Sequence, residues 1–197
     1  MSQTNEVFEP KWDLTITPSK SLFSLNLNAI WRYRDLLILF VRRDFVATYK
    51  QTILGPLWFF IQPIFTAIIF TVVFGNIAQI STAGMPKPLF YLAGITLWNY
   101  FADCLTKTSN TFVTNQGIFG KVYFPRIIVP LSAIITNLMK FGVQLSLFLG
   151  FYIYYYCTID LLIPNTTIFL FPLLILIMAM MSLGLGMIIS SMTTKYR

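Results

Sequence analysis

The sequence predicts an all-α integral membrane protein, and two observations support this fold class. Hydrophobic residues make up 56% of the 197 residues and charged residues only 11%, whereas an ordinary soluble domain carries about 25% charged residues. The chain also contains four long apolar stretches. A helix needs roughly 20 apolar residues to cross the hydrocarbon core of a bilayer, and each stretch comes close to or exceeds that length.

The chain before the first apolar stretch is polar and then amphipathic. Residues 1–25 lack the basic start and short apolar core of a cleaved signal peptide, so we expect them to stay in the cytoplasm. Residues 26–52 show apolar residues at three- and four-residue spacings beside arginines, which predicts an amphipathic helix. We expect this helix to lie in the headgroup layer of the membrane. The alternative is a solvated helix packed on protein.

Residues 53–197 are predicted to form the transmembrane domain. Pro63 in the first span is tolerable because neighbouring helices can satisfy the carbonyl that a proline leaves free. After the second span, the segment from Asn115 to Arg126 predicts a short helix and a turn. The predicted spans lie at about 57–77, 89–108, 127–157 and 168–190, with a cytoplasmic loop at 109–126.

The distribution of lysine and arginine predicts the orientation. Twelve of these residues fall before span one, between spans two and three, or after span four, whereas Lys87 alone falls in the opposite loops. Because cytoplasmic loops carry the excess of cations, we expect the N-terminus and residue 197 to lie in the cytoplasm. The predicted location is the bacterial inner (plasma) membrane, crossed several times. The net charge of +7 is then a consequence of topology, not a sign of nucleic-acid binding.

The composition argues against enzymatic chemistry. There is no histidine, and five of the seven acidic residues precede the first span, whereas acid–base catalysis and metal ligation draw mainly on these residue types placed close together. We therefore expect no catalytic residue, no metal and no cofactor. Cys104 and Cys157 form no CxxC pair and are expected to be buried packing residues.

Two stripes of side chains on the predicted spans are candidates for lining a channel. On span two, Thr96, Asn99 and Asp103 share one helical face; on span three, polar residues are followed toward the outside by aromatic ones. Asp103 and Lys140 are expected to approach one another at the inner leaflet, or else each reaches the inner headgroups separately. The aromatic rings either stack on sugars or pack against a neighbouring helix. The channel-lining candidates are Asn99, Asp103, Asn137, Lys140, Gln144, Phe148, Phe151, Tyr152 and Tyr155.

Two segments resemble a known family. The run from Tyr33, Arg34 and Asp35 through Arg43 and Asp44 to YKQTILGPLWFFIQP is similar to the N-terminal signature of polysaccharide-exporting ABC transporter permeases. The order of Gly94, Trp98 and Phe101, followed by Phe124, Pro125, Arg126 and Pro130, is similar to the middle of those permeases. Together the two segments cover about residues 20 to 145.

The resemblance implies a type 2 ABC exporter fold for a lipid-linked glycan, with O-antigen the favoured cargo. It implies two permease copies around one channel, two cytoplasmic ABC ATPase subunits and a channel partly lined by the aromatic stripe. It also implies two further spans after residue 197, so the chain is expected to be C-terminally truncated relative to six-span members. The residues expected at the ATPase contact or entrance gate are Arg42, Arg43, Asp44, Tyr49, Lys50, Gln116, Lys121, Phe124 and Arg126.

Two other function classes compete with a permease. A membrane scaffold or assembly subunit needs only four packed helices, and the stripes would then be packing faces. A membrane-embedded enzyme would need acidic residues or histidines clustered near the interface, which the sequence lacks. No GxxxxGK[ST] sequence occurs in the chain, so nucleotide-driven work requires another subunit.

Overall fold

The structure is a computed structural model that describes residues 27–50, 57–158 and 166–195. All regular secondary structure in these ranges is helical, which confirms the all-α fold class. The predicted N-terminal segment 1–25, the link 51–56, residues 159–165 and residues 196–197 lie outside the described residues. The helices are α1 Leu27–Arg32, α2 Arg34–Lys50, α3 Trp58–Phe70, α4 Lys87–Ser109, α5 Thr111–Thr114, α6 Gln116–Phe119, α7 Ile128–Thr158 and α8 Phe171–Lys195, with a π-helical segment at Thr71–Ile77 and a 3₁₀ segment at Thr166–Leu170.

Three of the described helical segments are long and apolar enough to cross a membrane, namely Phe60–Ile77, Ile128–Thr158 and Ile168–Thr194. The remaining predicted span corresponds to α4, whose 23 residues reach about 34 Å at 1.5 Å per residue. Its polar residues lower its hydropathy below that of the other three. Because α4 packs against α3, α7 and α8, its polar groups have protein neighbours. A membrane crossing by α4 stays a prediction.

The C-terminal end of the first span is irregular. Pro63 is buried within α3, and the helix then widens into the π-helical segment. The ammonium of Lys87 donates to the carbonyl of Gly75 at 2.7 Å and to Oδ1 of Asn76 at 3.2 Å. A cation at a helix C-terminus is stabilised by the carbonyls that have no partner within the helix. Lys87 therefore ties the end of the first span to the start of α4.

The closest helix crossing joins α4 to α8. Ser182, Gly186 and Ser190 are buried, and a Cβ added at Gly186 would come within 2.6 Å of Cβ of Thr108. The hydroxyl of Ser190 also accepts a hydrogen bond from the backbone N–H of Phe112 at 3.5 Å. Small residues every fourth position let membrane helices approach this closely. The sequence analysis missed this motif, although S-x₃-G-x₃-S can be found by inspection.

Candidate functional site

The polar stripe on α4 divides into a buried part and an accessible part. Thr96 is 3% exposed, and its hydroxyl donates to the carbonyl of Leu92 at 2.8 Å. Further along α4, Asn99 is half-buried one turn after Thr96 and Asp103 is exposed two turns after it. Hydrogen bonding within the helix satisfies the hydroxyl of Thr96. Only the part of the stripe beyond Thr96 is therefore available to a ligand or partner.

Asn137 lies in the packed interior between α4, α7 and α8. Its side chain is 2% exposed, and its amide donates to Sγ of Cys104 at 3.7 Å. Its place inside the described bundle disagrees with the expectation that it lines a channel. The expectation for the cysteines is confirmed for Cys104, which is buried, and is wrong for Cys157, which is exposed at the end of α7.

A cleft of about 630 Å³ opens between α3, α4 and α7. It brings together three of the channel-lining candidates, Asn99, Phe148 and Tyr152, together with Trp98. The rings of Phe148 and Tyr152 lie 6.4 Å apart between centroids. The remaining lining is mainly aliphatic and aromatic, so the cleft suits an apolar chain with a few polar groups at its edge.

The other two aromatic candidates face elsewhere. Phe151 and Tyr155 line a smaller cleft of about 270 Å³ beside α3. Phe148 and Phe151 also pack against the buried cluster of Ala67, Tyr91, Leu92 and Ile95. In the described chain, helix packing therefore accounts for part of the aromatic stripe, one of the two alternatives that the sequence left open.

Three ionisable side chains, those of Asp103, Lys107 and Lys140, lie near one another between the C-terminal part of α4 and α7. Lys140 is half-buried, and both Lys107 and Asp103 are close enough to act on it electrostatically. Asp103 lies six residues before the end of α4, which corresponds to about 9 Å along the helix. The predicted approach of Lys140 to Asp103 thus involves a second lysine, Lys107, that the sequence analysis did not single out.

Helix α2 packs onto the loop between α4 and α7 and onto the start of α7. Phe40 is 5% exposed, and its ring lies 5.8 Å from that of Phe124. The guanidinium of Arg43 lies 4.9 Å over the ring of Phe40 and donates to Oδ1 of Asn115 at 3.2 Å. The two segments predicted to form the ATPase contact or gate are therefore one packed unit, which we call the loop platform (residues 33–47 and 111–129).

The platform buries some gate candidates and exposes others. Phe124 is 6% exposed and belongs to its core, so it supports the loop and is not part of its surface. Asp44 is half-buried and bonded to Arg43 at 2.8 Å. The side chains of Tyr49 and Lys50 lie outside the described residues. The exposed candidates are Arg42, Arg43, Gln116, Lys121 and Arg126, of which Gln116 and Arg126 line a cleft of about 420 Å³ beside the end of α8.

Two exposed residues of the platform were missed by the sequence analysis. Val122 is 58% exposed and Tyr123 is 69% exposed, both in the loop before α7. Large apolar side chains at the surface of a polar loop often mark a protein contact. The signal in the sequence was the pair of apolar residues between Lys121 and Phe124.

The exposed side of α1 and α2 carries apolar and charged residues together. Trp31, Ile38 and Leu39 are each at least 60% exposed, and Asp35 and Arg42 are exposed as well, while the opposite face packs on α7 and the loop. One face thus contacts protein, and exposed apolar side chains beside charged ones suit the headgroup layer, where the sequence predicts this helix to lie.

These features define a class of protein: a helical membrane domain with an apolar cleft, an ionisable cluster between α4 and α7 and a packed loop platform. The chain belongs to the ABC-2 type transporter family, whose model matches residues 35–197. It is 27% identical over 168 residues to the O-antigen export system permease protein RfbA of Myxococcus xanthus, covering 85% of this chain and 62% of that protein.

Two proteins of the same name from Klebsiella pneumoniae are also similar. One is 27% identical over 121 residues, covering 61% of this chain and 46% of the relative, and the other is 25% identical over 163 residues, covering 83% and 61%. The chain thus spans about three fifths or less of the length of these relatives.

Proposed function

We propose that this chain is a membrane-spanning permease subunit of an ATP-driven exporter that moves a lipid-linked polysaccharide across the bacterial inner membrane. The favoured cargo is O-antigen. The observation that carries the proposal is the similarity of 85% of the chain to a permease named for O-antigen export, within a family of ABC-2 type transporters.

The proposed assembly contains two permease copies and two cytoplasmic ABC ATPase subunits, with the N-terminus and residue 197 in the cytoplasm. Membership of the ABC-2 type transporter family supports an ABC ATPase partner, and ATP-driven work would need such a subunit because no GxxxxGK[ST] sequence occurs in the chain. The exposed side chains of Val122 and Tyr123 support a docking surface on the loop platform. Arg42, Lys121 and Arg126 would form its charged rim, since charged groups around an apolar contact favour specificity.

The proposed route for cargo runs along the accessible parts of α4 and α7. Asn99, Asp103, Lys140, Gln144 and Tyr152 are exposed or half-buried, which is the condition for meeting a hydrated glycan. Buried Asn137 would hold the helices together instead. The cost of moving sugar through lipid is avoided when polar groups and aromatic rings face a lumen between two protomers.

The test is an affinity purification of the tagged chain from mild detergent after co-expression with the ABC ATPase subunit of an O-antigen export system. We expect stoichiometric co-elution of the ATPase and ATP hydrolysis in the eluate. Tyr123→Ala should weaken the affinity for the ATPase by about thirtyfold and so reduce co-elution, because a buried aromatic anchor contributes roughly 2 kcal/mol or more. Gln79→Ala, on the opposite loop, is the matched control and should leave co-elution unchanged.

Two outcomes would count against the proposal. Absence of the ATPase from the eluate of a well-folded chain would favour a scaffold or assembly subunit. Equal co-elution of the Tyr123→Ala variant and the original chain would move the docking surface away from this loop.

A further inference from the structure

The same local arrangement of an aromatic ring, an arginine and an aspartate occurs twice in α1 and α2. Each guanidinium lies over the ring three residues earlier, at 5.5 Å from its centroid in the first set and 4.9 Å in the second. Each also approaches the carboxylate of the next residue, at 3.7 Å and 2.8 Å. The first set is Trp31, Arg34 and Asp35, and the second is Phe40, Arg43 and Asp44. The two arginines therefore differ mainly in what else surrounds them.

The two arginines lie on opposite sides of α2. Nine residues correspond to about two and a half turns of a helix, so Arg34 and Arg43 point about 180° apart. Trp31 is exposed, whereas Phe40 is buried and packs on the loop platform. Arg43 accordingly makes a third interaction, in which its Nη2 donates to Oδ1 of Asn115 at 3.2 Å. This bond joins α2 to the loop between α4 and α7.

Asn115 is where the hydrogen bonds of that loop converge. It lies between α5 and α6, and its backbone carbonyl accepts from the N–H of Ile118 at 3.0 Å. The carbonyl of Ile118 in turn accepts from the N–H of Val122 at 3.3 Å. A continuous path of bonds thus leads from Arg43 through Asn115 and Ile118 to Val122, beside the exposed Tyr123.

Aromatic packing holds the same loop independently of Arg43. The rings of Phe112 and Phe119 lie 5.4 Å apart between centroids, and those of Phe119 and Phe124 lie 5.6 Å apart. These contacts remain when Arg43 is replaced, so we expect the loop to stay folded. A hydrogen bond at a partly exposed site adds only modestly to stability, so Arg43 sets how firmly the turn is held.

We propose that Arg43 is a positioning residue for the docking surface: through Asn115 it holds the turn that presents Val122 and Tyr123, and it does not itself contact the ATPase. Asp44 accepts from Nε of Arg43, and because the guanidinium is planar and rigid this bond also orients Nη2 toward Asn115. The inference rests on the proposed function in taking Val122 and Tyr123 as the ATPase contact.

The first test is hydrogen exchange of the purified chain in mild detergent, read by mass spectrometry. Arg43→Gln should speed exchange at residues 116–122 by about fivefold, the effect of one lost hydrogen bond on local opening. Asn115→Ala should speed it at least as much. The double variant should exchange no faster than Asn115→Ala alone, because both changes remove the same bond. Exchange in the middle of α7 should stay unchanged, which separates loosening of the loop from general unfolding.

Two control variants make this test specific. Asn115→Asp loses the side-chain donor to the carbonyl of Thr111, as Asn115→Ala does, but keeps an oxygen for Arg43, so it should exchange more slowly than Asn115→Ala. Arg34→Gln removes the matching ring and aspartate contacts on the exposed side of the helix and should exchange as the original chain does. Unchanged exchange in both Arg43→Gln and Asn115→Ala would overturn the proposal, and so would an equal increase in Arg34→Gln.

The affinity for the ATPase separates positioning from direct contact. Arg43→Gln should weaken it by up to about fivefold, because the docking-competent population of the loop falls by no more than the loop's stability does. In the Asn115→Ala background the same change should have no further effect. A loss of affinity that persists in that background would show that Arg43 contacts the ATPase directly and would overturn the proposal.

The exchange experiment needs no ATPase, so it distinguishes this inference from the proposed function. If the original chain binds no ATPase, the proposed docking surface fails, while faster exchange in Arg43→Gln still supports the role of Arg43 in holding the loop. If the chain binds the ATPase and the variants exchange as the original does, the proposed function stands and the positioning role fails.

Discussion

Polar side chains inside the described bundle are mostly satisfied locally. The hydroxyls of Thr66, Thr96 and Thr136 donate to carbonyls four residues earlier in their own helices, at 2.8–2.9 Å. This bonding removes the cost of placing a hydroxyl where water is scarce. A polar residue in a membrane helix therefore does not by itself indicate a channel. A candidate for lining a channel must also have an exposed side chain.

Phe40 is the residue whose loss should most weaken the loop platform. Its buried ring lies against Phe124, in a cluster that also contains Ile128 and Val129, and supports the guanidinium of Arg43. Phe40→Ala should destabilise the chain by about 3 kcal/mol, because it removes a buried ring and leaves a cavity. The measurement is the apparent melting temperature of the purified chain. Samples are heated to a series of temperatures, and the fraction that stays monodisperse is measured after each.

The neighbouring Leu39 provides the control for this prediction. Leu39 is 60% exposed, so Leu39→Ala should change the melting temperature little in detergent. Equal losses in the two variants would contradict the packing of α2 on α7.

At the scale of helices, the position of α4 organises the described bundle. It packs most extensively against α8 and α7, and also against α3. With α8 the contact depends on small residues, and with α7 it depends on the Tyr100–Phe141 ring pair and the Asn137–Cys104 bond. Helix α4 is the least apolar of the predicted spans, and it is surrounded mainly by other helices.

The crossing of α4 and α8 gives a prediction with a closely matched control. In Gly186→Ala the new Cβ would clash with the side chain of Thr108 and approach the backbone nitrogen of Ser109 to 3.3 Å. We expect a loss of about 1–3 kcal/mol, because the helices must separate. The control is Gly184→Ala, where a Cβ meets no atom within 4 Å.

Both glycine variants should be compared by thermal unfolding in the same detergent. The control should be neutral or slightly stabilised, since alanine favours a helix more than glycine does. A melting temperature for Gly186→Ala equal to that of the original chain would contradict the close crossing.

At the scale of the whole molecule, the proposed orientation predicts which surfaces face each side of the membrane. In a Cys157→Ser background the remaining cysteine, Cys104, is fully buried. A cysteine introduced as Gln79→Cys should react with an impermeant maleimide in spheroplasts. One introduced as Lys121→Cys should react only after lysis, because twelve of the thirteen loop and terminal cations predict a cytoplasmic side for it.

The labelling pattern also tests the crossing by α4. Reaction of both cysteines from the same side would show that the segment between them does not cross the membrane as proposed. Reaction in the reverse order would overturn the orientation.

The sequence by itself determined the fold class and the approximate limits of the long helices. The predicted third span, 127–157, matches α7 at Ile128–Thr158 to within one residue, because the apolar pattern is continuous over that length. Its 31 residues exceed the roughly 20 that cross the hydrocarbon core. The residues resembling a transporter signature also indicated the family that the comparison established.

Only the tertiary structure decided which polar and aromatic residues remain accessible. Helical spacing assigns residues to a face but does not say what covers that face. Asn137 and Phe124 were expected at functional surfaces and are buried, whereas Tyr123 lies at the proposed docking surface and was not singled out. The physical reason is that accessibility depends on the neighbouring helix, and neighbours far apart in sequence are brought together only by folding.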